Sequence, residues 1–364
     1  MKFKKLQAGN VIFRKEATKG NEHLPGICIQ AHMDMVCSKN SDSTHNFLTD
    51  PIVPVIDGEF LKASGTTLGA DDGIGVAACL ALLEDNSLDH PLLECLITTN
   101  EETDMSGAEN LPNDVLLSKI LINVDSEEED SICIGCAGGL ERALRLKVKK
   151  EQPKESSSFF KVSLIGLLGG HSGAQIHEGL GNAIQLLARI MNPIAQEHQD
   201  IQLASFYGGT AINTIPRECF SIFGLPKAQV EEIKTKVLSS FDDIKKEYKL
   251  IEPNMQLLIE NESSPQECCN HDSTKKILDF LSIIHHGVFR MSPSVPGLVE
   301  TSNSLSIVSL EKEYFEAQLF ARSSSNSQMK YVSEYFDALS RSYEIEIIGD
   351  RNGFPGKRLF IYFI

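Results

Sequence analysis

The run Ile27–Asp34, ICIQAHMD, decides how the first third of this chain is read. An apolar stretch of strand character ends in two residues able to serve a metal, His32 and Asp34. Two later runs share the design: Leu92–Thr98 leads into Glu101 and Glu102, and Ile120–Val124 leads into Asp125. In open α/β sheets the working groups collect beyond the carboxyl ends of the strands. Three buried strands finishing in His, Glu and Asp therefore predict a metal site along one sheet edge.

Working outward, Val11–Phe13 and Gly26–Ala31 read as strands and Ile74–Glu84 as a mostly buried helix, with strands resuming at Leu92–Thr98 and Ile120–Val124. That alternation predicts a largely parallel sheet flanked by helices. The character changes after Gly138 and Gly139, where a Lys- and Ser-rich stretch follows, so a domain boundary is placed near residues 145–155. Beyond it, helices are expected at Gly179–Met191, Lys227–Tyr248, Asp272–His285 and Gln328–Ser342. Interleaved strands at Phe159–Ile165, Phe220–Phe223, Ser304–Val308, Phe315–Phe320 and Tyr343–Ile348 make the second domain α+β with an antiparallel sheet.

The 364 residues suffice for two cores, and the formal charge of −16 disfavours nucleic acid and anionic membranes as partners. With no apolar run of about 18 residues and no signal-peptide pattern at the start, a cytoplasmic protein is expected. Nine cysteines, several inside apolar runs, read as reduced core residues. Cys133 and Cys136 lack the further pair that a structural zinc site needs.

The motifs carry chemistry of graded specificity. His32 and Asp34, two apart on a strand, share a face, and a carboxylate beside a ligating imidazole can orient it. In GTTLGADDGIG (residues 65–75), glycines around a carboxylate permit close approach to an ion, whereas the spacing and the missing Lys-Ser or Lys-Thr argue against a phosphate loop. Glu101 and Glu102 point apart, so one can bind metal while the other serves as a base toward substrate. His171, in a glycine-rich turn, could donate to a developing oxyanion. Asn213 and Arg217 offer an amide and a guanidinium beside flexible backbone, and Arg322 could hold a carboxylate in bidentate fashion. Taken singly, each has an ordinary structural alternative: a solvated Glu pair, a turn histidine, a chance His at a strand end.

Together the ordered motifs HMDMV, GTTLGADDGIG, NEETDMSGA, NVDSEEED with IGCAGG, GLLGGHSGAQIHEGLGNA, GGTAINTIPRE and GLVETSNS closely resemble the bacterial aminoacyl-histidine dipeptidases. These belong to the co-catalytic zinc metallopeptidase family that includes aminoacylase, carboxypeptidase G and peptidase T. The resemblance runs from about residue 7 to about residue 355. It implies an α/β catalytic domain with a mostly parallel sheet (1–150, incomplete), an α+β lid or dimerisation domain (151–350), and a tail at 351–364 unlike the family.

By the same resemblance, Asp71 bridges two divalent ions, zinc first with cobalt or manganese as alternatives; His32 and Asp125 complete one site and Glu102 serves the other. Glu101 is then the general base, Asp34 orients His32, and His171 helps polarise the scissile carbonyl, in some relatives across a dimer. Asn213, Arg217 and Arg322 are matched to substrate binding. The implied activity is hydrolysis of small unblocked dipeptides, aminoacyl-histidine ones included, with a homodimer formed through the lid. A related tripeptidase, carboxypeptidase or deacylase is the enzymatic alternative. Two departures set a further expectation: the helical segment that precedes Val11–Phe13 in the family is missing, and no histidine follows His286 to supply the family's last ligand. An impaired homologue that only binds metal or self-associates is the reading those departures support.

Overall fold

The computed structural model describes residues 2–39, 43–126 and 137–348, which fall into two compact units dividing between residues 126 and 137. The expectations for Glu127–Asp130, Cys133, Cys136 and the tail at 351–364 lie outside the described residues.

In the first unit, β1 (Lys2–Lys5), β2 (Val11–Lys15) and β3 (Ile27–His32) are followed by a hairpin, β4 (Pro54–Asp57) and β5 (Phe60–Ala63). Then come α1 (Ala70–Glu84), β6 (Leu93–Thr98), the single turn α2 (Ser106–Glu109) and β7 (Ile120–Asn123). The main sheet has the order β1-β2-β6-β3-β7. The parallel pairings join β6, β3 and β7, while β2 and β1 extend the sheet antiparallel beyond β6. The exposed KFKK of β1 carries no apolar alternation, so the sequence reading passed over it.

Both faces of β3 and β6 are covered, which is why they read as continuous apolar runs. Ile29, Ala31 and Cys95 pack with Cys79 and Leu83 of α1, and Cys28 and Leu96 pack with Leu6, Ile12 and Val115. Ile27 lies opposite both Leu93 and Ile120. Continuing those registers brings His32, Thr98 and Asp125 level, so the three parallel strands deliver their terminal residues to one edge.

The second unit opens with β8 (Gly138–Lys147), β9 (Lys150–Glu151), β10 (Ser157–Ile165) and β11 (Gly170–His171), followed by α3 (Ala183–Glu197). Next come β12 (Gln202–Gly208), β13 (Thr214–Ile215), β14 (Cys219–Pro226), α4 (Val230–Glu247) and β15 (Gln256–Glu262). It closes with β16 (Cys268–Cys269), α5 (His271–Ile283), β17 (Gly287–Met291), β18 (Val299–Leu310), β19 (Tyr314–Ser323), α6 (Asn326–Tyr343) and β20 (Ile345–Ile348). The large sheet, β15-β10-β14-β12-β18-β19-β8-β20, is antiparallel throughout. Because β8 pairs with β19 along its whole length, the second unit begins ahead of the 145–155 stretch chosen from composition. Helix α3 starts at Ala183 rather than Gly179, since Asn182 caps it: the Asn182 side chain accepts from Ile184 and Gln185 amides at 3.0 and 3.2 Å. The helix buries Ile184, Leu187, Ile190, Met191 and Ile194 against the sheet core and runs through Pro193.

Between α5 and β17, His286 accepts a hydrogen bond from the Leu305 amide on Nδ1 at 3.2 Å, a geometry that suits the neutral ring. Burial pushes its pKa down to about 4, and His285 beside it acts in the same direction. A folded value below the ordinary imidazole value of 6.5 means that this contribution to stability is complete above about pH 6.5 and is lost as the pH falls toward 4. Acidification from pH 7 to pH 4 is expected to cost about 3 kcal/mol through this residue. His286→Gln should flatten that part of the profile, as read from urea unfolding at several pH values; an unchanged acid limb would contradict the assignment.

Candidate active site

In the first unit the two aspartates that open α1 take different directions. Dihedral angles are non-helical at Asp71 and Asp72, and the peptide between them is cis. Asp72 is buried; its Oδ1 accepts from the Gly75 amide at 3.1 Å, as a helix cap does, and its Oδ2 accepts from the His32 amide at 3.2 Å. A Cβ at Gly75 would sit 2.3 Å from Asp72 Oδ1, so the glycine makes this close approach possible. Asp71 turns away from these bonds, and its Oδ1 lies 2.9 Å from His32 Nε2.

His32 is buried, and its Nδ1 lies 2.9 Å from the backbone carbonyl of Asp34. With the proton on Nδ1 donated to that carbonyl, Nε2 keeps its lone pair for a cation, facing Asp71 and, at 3.5 Å, Asp125 Oδ1. The sequence reading gave Asp34 the task of orienting His32. The atom within hydrogen-bonding distance of the ring is its main-chain carbonyl oxygen, while its carboxylate stands 3.7 Å from Nδ1 and is engaged elsewhere. Asp34 Oδ1 accepts from the Glu101 amide at 3.1 Å and Oδ2 from the Glu102 amide at 3.0 Å, which fixes the turn bearing both glutamates.

Two donor sets converge here within 4.8 Å: His32, Asp71 and Asp125, and His32, Glu101 and Glu102. The first is the set the resemblance implied for one ion; the second groups Glu102 with His32 and Glu101. The electrostatics are those of a cluster of carboxylates around one imidazole. Burial pushes the Asp125 carboxyl up to about 7, and Asp71 beside it adds to this. Glu101 and Glu102 are raised first by burial and then by neighbouring carboxylates, with His32 opposing. Burial works against a charged His32, yet its bond to Asp71 and the charges of Asp125 and Glu101 hold its pKa above the ordinary value. Oxygen and imidazole donors crowded in this way fit a divalent cation.

In the second unit β11 pairs with β13, setting His171 opposite Thr214. His171 Nδ1 accepts from the Ala174 amide at 3.0 Å and the Gly173 amide at 3.3 Å, so the neutral ring carries its proton on Nε2 as a donor. Burial, then the Arg322 charge, keeps its pKa below the usual value. His171 and Arg217 line one cavity of about 430 Å³ together with Thr210, Thr214, Tyr207 and Phe220. Asn213 is exposed, with its carbonyl accepting from the Ser172 amide at 2.8 Å. Arg322 donates from Nη1 to Ser172 Oγ at 2.7 Å and stacks 4.1 Å over the Phe320 ring.

Sequence reading missed Asp72, Ser172, the stacked Tyr207 and Phe220, and Glu94. Glu94, fully buried in β6, binds Arg14 Nε at 2.7 Å and accepts from the Leu117 and Ser118 amides at 2.9 and 2.6 Å, holding the approach to β7. A charge inside an apolar strand was the available signal.

Residues 162–249 match the family described as the peptidase dimerisation domain. The chain is 41% identical over 335 residues to the cytosol non-specific dipeptidase of Escherichia coli (strain K12), covering 92% of this chain and 69% of that protein. The crystal structure of aminoacylhistidine dipeptidase from Vibrio alginolyticus superposes with a TM-score of 0.78 at 36% identity, covering 95% of this chain and 70% of that one. The chain therefore belongs to the family of the cytosol non-specific dipeptidases, metallopeptidases built from a catalytic domain and a dimerisation domain.

Proposed function

We propose that this chain hydrolyses unblocked dipeptides, aminoacyl-histidine ones among them, at the cluster of His32, Asp71, Asp125, Glu101 and Glu102. The observation that carries the reading is the geometry at the sheet edge: donor atoms of His32, Asp71 and Asp125 lie within 4.8 Å of one another, and Asp34 accepts from the Glu101 amide beside them. Asp71 would be shared by two ions, zinc in the first instance, with Glu102 serving the second. A divalent ion held there supplies Lewis acidity and lowers the pKa of water.

Glu101 accepts the proton of the attacking water and returns it to the leaving amine. His171, with its proton fixed on Nε2, donates to the scissile carbonyl oxygen. Arg322 takes the substrate carboxylate, and Asn213 and Arg217 contact the peptide from the same unit. We assign the described residues before 127 to the catalytic domain and those from 137 to the lid, and place a homodimer contact in the lid, where the dimerisation family matches. We place the protein in the cytoplasm, as its Escherichia coli relative is named; among the described residues no helix is long and apolar enough to cross a membrane.

Both relatives named above are dipeptidases, which supports this reading over a tripeptidase, carboxypeptidase, deacylase or purely metal-binding role. Assay of the zinc-supplemented chain on free and N-blocked di- and tripeptides tests it. Alanylhistidine should be cleaved and its N-acetyl derivative left intact; cleavage of blocked but not free dipeptides would overturn the proposal.

A further inference from the structure

We infer that Ser172 is a positioning residue that aims the Arg322 guanidinium at the substrate carboxylate and so sets the preference for a free C-terminus; this rests on the carboxylate role given to Arg322 above. Arg322 lies on β19 with its ring-backed face over Phe320, and among the described residues no carboxylate is bonded to it. Among the described residues the guanidinium makes one hydrogen bond, from Nη1 to Ser172 Oγ at 2.7 Å, which leaves the rest of the fork open to a planar anion. Burial holds the guanidinium pKa down at about 10.

Ser172 is fixed from both sides. It is 1% exposed, and its amide donates to the Asn213 carbonyl at 2.8 Å. The next residue, Gly173, is the spacer: a Cβ there would fall 3.0 Å from His171 Cε1 and 3.1 Å from Arg322 Nε. One tripeptide, His171-Ser172-Gly173, thus ties the imidazole, the Asn213 loop and the guanidinium into a single arrangement. A long arginine stem has several rotamers, and the buried hydroxyl selects one. Without it the guanidinium still carries its charge but loses its aim.

The test measures calorimetric affinity for alanylhistidine and for its C-terminal amide. It uses the full chain with zinc in a Glu101→Gln background, so that turnover does not interfere. The parent should prefer the free acid. Ser172→Ala should weaken the acid roughly tenfold, the equivalent of one modest charged hydrogen bond, and leave the amide within twofold. Ser172→Thr, which keeps the hydroxyl, should retain the preference, and Ser172→Ala should add nothing in an Arg322→Ala background. Equal weakening of acid and amide, or a full loss persisting in the Arg322→Ala background, would overturn the positioning role. An acid preference that survives Arg322→Ala overturns the carboxylate assignment itself, whereas one that survives Ser172→Ala alone overturns only the inference about Ser172.

Discussion

Glu101→Gln is expected to lower kcat for alanylhistidine by about a thousandfold, within the range that a positioned general base contributes, while leaving the bound zinc content unchanged. The substitution keeps shape and volume and removes only the ability to take a proton. The turn bearing Glu101 should persist, because Asp34 holds it by the main-chain amides of Glu101 and Glu102 and not by their side chains. Glu102→Gln should behave differently, since a ligand carboxylate is replaced by a weaker neutral oxygen: metal content falls, and activity returns in part with added zinc. Steady-state kinetics paired with metal analysis separates the two. Retention of activity within tenfold in Glu101→Gln, or loss of metal from it, would remove Glu101 from the role of base.

How far this site could be read from sequence depended on where each side chain finds its partner. His32 and Asp125 were legible because they follow apolar runs buried on both faces, and parallel register then brings them level. The separation of Glu101 from Glu102 followed from resemblance; the physical device behind it, one carboxylate accepting two successive amides, has no signature in spacing. Asp72 and Ser172 were passed over for a related reason. Asp72 binds the His32 amide 40 positions away, and Ser172 binds Arg322 150 positions away. In the second unit β10 and β19 were visible through apolar content, while the half-exposed β15 and the basic, acidic and apolar mixture of β8 were not assigned as strands. Those strands are specified by pairing with partners already in the sheet more than by their own composition.

The adjacent aspartates supply the second large effect. Asp71→Asn should weaken zinc binding at least a hundredfold while leaving the metal-free fold as stable as before, because Asp71 is half exposed and faces other carboxylates. Asp72→Asn should do the reverse, costing about 2 kcal/mol in the metal-free protein. Its two carboxylate oxygens each accept a main-chain N–H, from Gly75 on one side and His32 on the other. An asparagine can satisfy only one of these; its NH2 group then meets the second N–H, leaving two donors face to face in a buried place with no acceptor between them. Either orientation does harm, since one uncaps α1 and the other releases the main chain at His32. Some loss of zinc affinity in Asp72→Asn follows from movement of His32, but it should be smaller than in Asp71→Asn and accompanied by lower stability. Urea unfolding of the chelated protein, with zinc titration of the same samples, reads both quantities. If the two variants lose stability equally, or if Asp72→Asn leaves the unfolding midpoint unmoved, then the division between a ligand at Asp71 and a structural cap at Asp72 fails.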